Sequence, residues 1–399
     1  MSTEPAADSD VTSGPLTGLL VADFSRVLAG PLTTMWLADL GATVIKVERA
    51  GAGDETRNWG PPWAGETSSY FTAANRSKLS ITVDFADGDD LAVARELASR
   101  ADVFVENFRT GVLAKFGLDQ PTLAHANPRQ IYASITGFGS GAGADLAGYD
   151  FVVQAVGGLM SITGEADGDP HKAGVALVDV LTAKDAVIGI LAALQARDRT
   201  GRGQHVEVNL LSTLLASLAN QASSFLTTGT APGRMGNQHP SIAPYETLHC
   251  RSSSLLAVAC GNDGQFRRLA EVLDLPGVAD DPRFVSNSAR VAHRVELVAV
   301  LEDRLSSREA AEWEELLARA GVPAGQVGTV ADGFARAETF GLRPTVDVPG
   351  DTPPQVRHPI DYSRSQLRPP TAPPELGADD QKVRDWLASG ADLAALEDA

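Results

Sequence analysis

The stretch LLVADFSRVLAGPLTTMWLADLGATVIKVE, residues 19–48, decides the fold class of this chain. Residues 19–24 and 43–48 are short, mostly apolar runs that suit buried parallel strands. Between them, Pro31 opens a predicted helix and Gly41 offers a C-cap for it. Such a strand–helix–strand unit is typical of a doubly wound α/β sheet. The connecting loop has no GxGxxG pattern, so a nicotinamide or flavin cofactor is not indicated.

The rest of the chain continues this alternation of strands and helices and then changes in composition. Further strands are predicted at residues 79–85, 102–106, 131–135 and 205–209. A Gly-, Pro- and Thr-rich linker at residues 227–236 marks a domain boundary. We predict a disordered leader, a large Rossmann-like α/β domain with a parallel sheet, a smaller α+β domain with linkers, and a return to the large domain. These parts span, in that order, residues 1–14, 15–226, 227–333 and 334–399.

The return segment is rich in proline over residues 343–374. A segment of this composition crosses surfaces in an extended form. It looks too extended to pack on its own domain, so we expect it to embrace a partner subunit.

Composition and charge narrow the classes of function. The 399 residues carry a formal net charge of −18, which argues against nucleic acid or an anionic membrane as a partner. Cys250 and Cys260 lack metal-ligand spacing and are expected to be buried thiols, so we predict a cytoplasmic protein without a metal site. The acidic N-terminus does not predict a signal peptide, and no apolar run has membrane-spanning length.

One carboxylate stands out in AGVALVDVLTAKDAVIGILAAL, residues 173–194. Thr182 and Asp185 have the spacing of a capping box, which predicts a helix that starts at Thr182. Asp179 would then precede the helix N-terminus, whose free N–H groups and dipole keep a carboxylate ionised. Its apolar neighbours leave it poorly solvated, which favours a nucleophile. A plain helix cap is the alternative interpretation.

Cationic and aromatic residues follow several predicted strands. Arg49 and Arg57 come after the second strand, where an Arg is suited to clamp a phosphate, although a solvated surface Arg is an equal alternative. Asn107, Phe108 and Arg109 follow a later strand and offer an amide, a stacking face and a cation. Those groups suit an adenine and its phosphates.

Several stretches together resemble the family III CoA-transferases, the carnitine and bile-acid CoA-transferase (CaiB/BaiF) group. They include SRVLAGPLTTMWLADLGATVIKVE, GDETR, NRSKLSITVDF, VENFRTGVLAKFGL, ITGFG, GYDFVVQAVGGLMSITGE and TGRGQHVEVNLL. The likeness runs from about Leu16 to the C-terminal region, so it covers nearly the whole chain. The combination is highly specific, although each piece alone is not.

The resemblance implies a large Rossmann-like domain built from both chain ends, a small middle domain, and two subunits interlocked like chain links. It also implies that Asp179 is the nucleophile. The implied coenzyme A contacts are Val27, Ala29, Arg49, Asn107, Phe108 and Lys115, with Arg109 a looser match.

Two departures from related sequences bear on the substrate. Formyl- and oxalate-specific members carry a glutamine at the position of Leu28, so an apolar residue there argues against a formyl or oxalyl substrate. The related α-methylacyl-CoA racemases use a His where this chain has Tyr149. A tyrosine, with an ordinary pKa of about 10, is a poor substitute base.

We therefore predict an acyl-CoA:carboxylate CoA-transferase that works through aspartyl anhydride and aspartyl–CoA thioester intermediates. Its substrates would be an acyl-CoA and a carboxylic acid, with no tightly bound cofactor and no metal. Backbone N–H groups in residues 236–241 are candidates to stabilise the oxyanion, with a plain domain linker as the alternative. His205 is expected to be structural, whereas His239 stays open as a base. The alternatives are a racemase or epimerase of the same fold, and a CoA-binding protein without turnover.

Overall fold

The computed structural model describes residues 14–350 and 352–397. Apart from Gly14, the predicted leader lies outside these residues. The described residues divide into two compact units. The first comprises Met1–Gly157, Ala173–Ser223 and Arg343–Ala399, and the second comprises Gly158–Lys172 and Ser224–Leu342.

The helices and strands follow one another along the chain as the sequence pattern predicts. Strands β1 to β8 are Leu20–Asp23, Thr43–Arg49, Trp63–Ala64, Thr67–Ser68, Lys78–Val83, Val103–Glu106, Ile131–Thr136 and His205–Asn209. Strands β9 to β13 are Tyr245–His249, Leu255–Ala259, Ala324–Gln326, Thr345–Val346 and Gln355–Val356. Helices α1 to α8 are Ala29–Asp39, Ser69–Asn75, Gly88–Arg100, Gln120–Ala126, Asp150–Val156, Leu177–Thr200, Leu210–Ser217 and Ala219–Thr228. Helices α9 to α15 are Asp263–Val272, Asn287–Ala292, Arg294–Leu305, Ala310–Arg319, Val330–Thr339, Asp380–Ser389 and Leu393–Glu397. Within residues 14–350 and 352–397, no helix combines the length and apolar character that a membrane crossing needs.

Six strands of the first unit form one parallel sheet in the order β5-β2-β1-β6-β7-β8. This sheet confirms the predicted α/β class with a parallel sheet. Strand β1 pairs with β2 on one side and with β6 on the other, so the strand order reverses at β1. Ligands of open α/β sheets bind at such a switch point, outside the carboxyl ends of the strands. The loops after β1 and β6 are therefore the place to look for a site.

Helices α1 and α6 pack together, and this contact brings their first turns close to each other. Leu32 and Met35 of α1 share an apolar cluster with Ala183 of α6. Leu28, just before α1, and Val180, in the first turn of α6, pack against the same cluster. Burying these apolar side chains is the main stabilising contribution at this contact.

The second unit holds a three-stranded antiparallel sheet, β11-β10-β9, around its own apolar core. Residues 158–172 belong to this unit although they precede α6 in the chain. Arg234 explains why, because its guanidinium donates to the carbonyls of Glu165 (3.2 Å) and Gly168 (2.8 Å). The unit extends to Leu342, somewhat beyond the predicted residues 227–333.

The Pro-rich return packs on the first unit of its own chain. The N–H of Arg368 donates to the carbonyl of Asp39 at 2.9 Å, and the N–H of Ser77 donates to the carbonyl of Thr371 at 3.1 Å. The N–H of Asp379 then reaches the carbonyl of Ser80 at 3.0 Å. The expectation that this segment is too extended to pack on its own domain was therefore wrong, since backbone hydrogen bonds attach it to that unit.

Candidate active site

Asp179 lies in the first turn of α6, not before it. The helix begins at Leu177, five residues before the predicted start at Thr182. The predicted capping box does not form, since Asp185 instead accepts a hydrogen bond from the hydroxyl of Thr213 at 2.8 Å. The Thr182 hydroxyl is buried and has no partner within the described part of the chain.

Asp150 supplies the cap that the local sequence lacks. One of its carboxylate oxygens accepts the N–H groups of Val178 (2.7 Å) and Asp179 (3.2 Å). The other oxygen accepts the amide of Gln154 at 2.6 Å, which fixes the carboxylate in place. A carboxylate at this end of a helix satisfies free N–H groups and complements the helix dipole. Because Asp150 precedes Asp179 by 29 residues, no local capping pattern could reveal it.

The environment of Asp179 disfavours its ionised form. Burial and, to a smaller extent, the negative charge of Asp150 raise the pKa of its carboxyl group to about 7. Within residues 14–350 and 352–397, no side chain or N–H group donates a hydrogen bond to the Asp179 carboxylate. The expectation that the N–H groups of the helix terminus keep Asp179 ionised was therefore wrong, because Asp150 already occupies those N–H groups.

Tyr70 is a neighbour of this carboxylate that the sequence did not single out. Burial, together with the charges of Asp179, Asp150 and Asp54, raises the pKa of its hydroxyl to about 12. Its ring packs edge-on against Trp59 with centroids 5.2 Å apart. The hydroxyl thus stays protonated near Asp179 and can act as a hydrogen-bond donor. A single Tyr at the start of α2 carries no motif that could have predicted this position.

Asp179 lines a small cavity of about 170 Å³ together with most of the predicted coenzyme A contacts. The members predicted from the sequence are Val27, Ala29, Asn107, Phe108, Arg109 and Asp179. Leu28 and Tyr149, the two positions that depart from related families, line it as well. The amide of Asn107 holds the loop after β1, since it donates to the carbonyl of Arg26 (2.7 Å) and accepts its N–H (3.0 Å).

A larger cavity of about 600 Å³ adjoins the first at the carboxyl ends of β1, β2, β5 and β6. Arg26, Glu55 and Phe108 line both cavities, so the two are adjacent. Arg49 lies on the wall of the larger one, and its exposed side chain has no ion-pair partner among residues 14–350 and 352–397. Phe85 packs 6.5 Å from Phe108, centroid to centroid, and both offer apolar ring faces.

Two of the predicted cations do not face these cavities. Arg57 was expected as a possible phosphate clamp, but its guanidinium binds both oxygens of Glu48 at 2.8 and 2.7 Å. It also donates to the carbonyl of Pro374, so it holds the return segment. Lys115 is exposed on a short 3-10 turn and lines neither cavity.

The loop of residues 236–241 is poorly suited to stabilise an oxyanion. The N–H groups of Gly236, Gln238 and His239 donate to backbone carbonyls, and that of Ser241 donates to the ring of His239 at 3.1 Å. A better source lies in the first turn of α1. There the N–H of Ala29 has no acceptor among the residues that the structure describes. His205 bonds to Ser134 at 2.9 Å, in keeping with the structural role expected for it.

Beneath the larger cavity, buried ion pairs connect the strands. Lys78 donates to Asp23 at 3.0 Å and Lys46 donates to Asp54 at 3.0 Å. Burial opposes the charged form of Asp23, but Lys78 and Lys46 outweigh it and lower the pKa of this carboxyl to about 2. For Lys78, burial dominates and lowers the pKa to about 8. This network ties the end of β1, the middle of β2 and the first residue of β5 together below the site.

Comparisons with known proteins agree with this geometry. The family model of CoA-transferase family III matches residues 16–380. A succinate–glutarate CoA-transferase of Agrobacterium fabrum is 44% identical over 384 residues, which cover 92% of this chain and 94% of that protein. An acetyl-CoA:oxalate CoA-transferase of Acetobacter aceti is 43% identical over 321 residues, covering 80% of this chain and 82% of that protein.

A solved structure supports the same assignment. The crystal structure of a CaiB/BaiF family protein from Brucella suis superposes with a TM-score of 0.85 at 45% identity, covering 94% of this chain and 100% of that one. The predicted acyl-CoA:carboxylate CoA-transferase is thereby confirmed at the level of the enzyme class, and the chain belongs to CoA-transferase family III.

Proposed function

We propose that this enzyme transfers CoA through covalent intermediates on Asp179. The Asp179 carboxylate attacks the thioester carbonyl of the donor, the carbon–sulfur bond breaks, and an acyl–aspartyl anhydride and a CoA thiolate form. The thiolate attacks the aspartyl carbonyl, releases the donor acid and leaves an aspartyl–CoA thioester. The acceptor carboxylate attacks this thioester, giving a second anhydride and the thiolate again. The thiolate finally attacks the acceptor acyl carbon, and the Asp179 carboxylate is regenerated.

The observation that carries this proposal is the unpaired, poorly solvated carboxylate of Asp179 in a cavity lined by the predicted coenzyme A contacts. A carboxylate with a raised pKa is more basic and less solvated, which increases its nucleophilicity. The N–H of Ala29 and the start of the α1 dipole favour negative charge that develops on an attacked carbonyl oxygen. The protonated hydroxyl of Tyr70 offers a further donor near the same carboxylate.

We place the nucleotide part of CoA in the larger cavity. Arg49 is the cation there without a salt bridge among the described residues, which suits a phosphate, and Phe108 and Phe85 suit the adenine ring. Val27, Ala29, Asn107 and Arg109 would contact the part of CoA that leads to the thioester, since they line the cavity of Asp179. Lys115 would contribute through its charge alone, because its position is exposed and outside both cavities.

For the substrates, we propose succinyl-CoA as donor and a five-carbon dicarboxylic acid such as glutarate as acceptor. The relative from Agrobacterium fabrum is named for succinate and glutarate, and that from Acetobacter aceti for acetyl-CoA and oxalate. Leu28 favours the first pair, because its apolar side chain lines the Asp179 cavity. It can pack against the methylene groups of a longer acid, whereas oxalate has none.

We also propose that the active enzyme is an interlocked, cytoplasmic homodimer. Several large apolar side chains near and within the return segment are more than half exposed in the single chain, namely Phe340, Leu342 and Val356. Exposed apolar side chains of this size suit burial against a partner subunit. Light scattering over a wide range of dilution should show a constant dimer mass, and a folded, active monomer at low concentration would contradict the interlocked state.

The test of the proposed function is a transfer assay with mass spectrometry of the thioesters. Wild-type enzyme with succinyl-CoA and glutarate should yield glutaryl-CoA, and Asp179→Asn should yield none. Asp185→Asn removes an exposed carboxylate from the same helix and should keep turnover close to wild type. Exchange of deuterium into the α-carbon of a branched acyl-CoA, without transfer, would instead indicate a racemase. Binding of acyl-CoA with neither reaction would indicate a CoA-binding protein without turnover.

A further inference from the structure

Val27 adopts a backbone conformation that its side chain disfavours. Its φ angle is +71°, in the left-handed region that β-branched residues rarely occupy. It lies in the turn between β1 and α1 and lines the cavity that holds Asp179. Conformations of this kind persist only where the surrounding contacts enforce them, and they concentrate at functional sites.

Asp54 holds this turn from below. Its two carboxylate oxygens accept the N–H of Val27 at 3.3 and 3.2 Å. Lys46 donates to Asp54 at 3.0 Å and to the carbonyl of Ser25 at 2.9 Å, so it holds the turn at a second point. The N–H and hydroxyl of Thr56 complete the set of donors to Asp54, at 3.0 and 2.8 Å.

The pair is charged and has little freedom to rearrange. Lys46 is 0% exposed and Asp54 is 3% exposed. Burial opposes both charges, yet Asp23, Asp54 and Glu48 raise the pKa of Lys46, and Lys46 and Thr56 lower that of Asp54. Both groups therefore stay ionised at neutral pH. A buried, charge-assisted ion pair is stronger than a neutral hydrogen bond, so it can hold the turn in one geometry.

We propose that Asp54, held by Lys46, is a positioning residue that fixes the left-handed turn at Val27 and thereby orients the first turn of α1 toward Asp179. This inference rests on the proposed function and deepens it. Asp54 and Lys46 line the larger cavity, whereas Val27 lines the smaller one. The pair thus links the wall of the nucleotide cavity to the backbone beside the nucleophile. The Asp of the GDETR stretch gains a role in aligning the site without touching the reacting atoms.

The main test compares Asp54→Asn with Asp39→Asn. The second variant breaks another buried ion pair, Arg76–Asp39 at 2.6 Å, which lines neither cavity. Asp54→Asn should lower kcat by about ten- to a hundredfold with a smaller change in the KM of the donor. Asp39→Asn should lower the melting temperature yet keep kcat within about threefold. Equal effects of both variants on kcat, or a kcat of Asp54→Asn within threefold of wild type, would overturn the proposal.

A rescue experiment separates positioning from general destabilisation. Glycine adopts positive φ without strain, so Val27→Gly should recover part of the kcat that Asp54→Asn loses. If Asp54 merely stabilises the fold, the more flexible glycine should instead add to the defect. Should Asp54→Asn not fold, Val27→Pro leaves the ion pair intact but removes the N–H and the left-handed φ. It should lower kcat as strongly, with Val27→Ala as its matched control; a Val27→Pro enzyme with the kcat of Val27→Ala overturns the proposal.

One readout does not depend on transfer activity. Hydrogen exchange of the peptide that contains Val27 should be faster in Asp54→Asn than in wild type and unchanged in Asp39→Asn. This result would support the positioning role of Asp54 even if wild-type enzyme fails to transfer CoA between the acids tested. Unchanged exchange in Asp54→Asn would overturn it whatever the transfer assay shows.

Discussion

Two carboxylates of the first unit, Asp23 and Asp179, are both removed from water but have opposite properties. Asp23 accepts from Lys78 at 3.0 Å and from the hydroxyl of Thr34 at 2.6 Å, and its pKa falls to about 2. Asp179 has no such donor within residues 14–350 and 352–397, and its pKa rises to about 7. Burial opposes the charge of both groups, so the neighbours determine the outcome.

The comparison shows how one fold separates a structural carboxylate from a reactive one. Each oxygen of Asp23 is occupied, which makes it an anchor for the ends of the strands. Asp179 faces a cavity, and the N–H groups that would have stabilised it are occupied by Asp150. Its neighbour Asp150 is negative, and no group among the described residues donates a hydrogen bond to it. The oxygens of Asp179 are therefore free to attack a carbonyl carbon.

The largest effect is expected at the reactive carboxylate. Asp179→Asn removes the nucleophile while keeping the size of the side chain, so transfer should fall by more than about a thousandfold. The affinity for acyl-CoA and the melting temperature should stay close to wild type, because the carboxylate has no structural partner. Steady-state assays and calorimetric titration with acyl-CoA measure both. Turnover within tenfold of wild type would contradict the assignment of Asp179.

At the structural carboxylate the loss should appear in stability. Lys78→Met leaves Asp23 buried beside fewer positive charges, and the free energy of unfolding should fall by about 3–5 kcal/mol. Chemical denaturation measures this change. Arg319→Ala, which removes an exposed partner of Glu315, is the control and should be close to neutral. A Lys78→Met protein as stable as that control would show that the pair does not anchor the strands.

The cations of the two regions, Arg49 and Lys78, should also differ in role, one binding substrate and the other stabilising the fold. Arg49, unlike Lys78, has no carboxylate partner among the described residues, so its charge is available to a phosphate. Arg49→Ala should raise the KM for acyl-CoA by about ten- to a hundredfold and change kcat less. Arg49→Lys should restore part of the affinity. An unchanged KM in Arg49→Ala would place this side chain outside the CoA site.

The smallest effect concerns the neighbour that raises the pKa of Asp179. In wild type, kcat/KM should rise with pH up to about 7, where the carboxyl loses its proton, and then level off. Asp150→Asn keeps an acceptor for the N–H groups of α6 but removes the negative charge. The acid limb should therefore move to lower pH, by roughly one unit or less. The shift is small because burial, the larger cause of the raised pKa, is unchanged in this variant. An acid limb that does not move would mean that Asp150 contributes little to this pKa.

The fold could be predicted from sequence because its signals are local. The apolar runs around β1 and β2, with Pro31 and Gly41 between them, report directly on strands and a helix. The site was predicted in part, since Asp179, Phe108 and Asn107 do line one cavity. What could not be predicted depends on distant partners. The start of α6 depends on Asp150, 28 residues before Val178, and Arg57 pairs with Glu48, nine residues earlier in the chain.

The backbone conformation of Val27 also could not be predicted from local sequence. A valine with positive φ contradicts its local preference, and contacts from residues far along the chain, including Asp54 and Lys46, hold it. Tyr70 likewise becomes notable only because the charge of Asp179 acts on its hydroxyl in the folded chain. Local pattern therefore locates the elements, whereas the protonation state and orientation of the reacting group arise from tertiary contacts.

The most direct test of the central claim is to trap the covalent intermediate on Asp179. Enzyme mixed with succinyl-CoA at pH 8 and quenched with hydroxylamine should carry a hydroxamate, because hydroxylamine attacks an aspartyl anhydride or thioester. Peptide mass spectrometry should place this mark on Asp179 in wild type and in Asp185→Asn, and should find none in Asp179→Asn. A mark on another residue, or rapid transfer without any mark, would contradict the account.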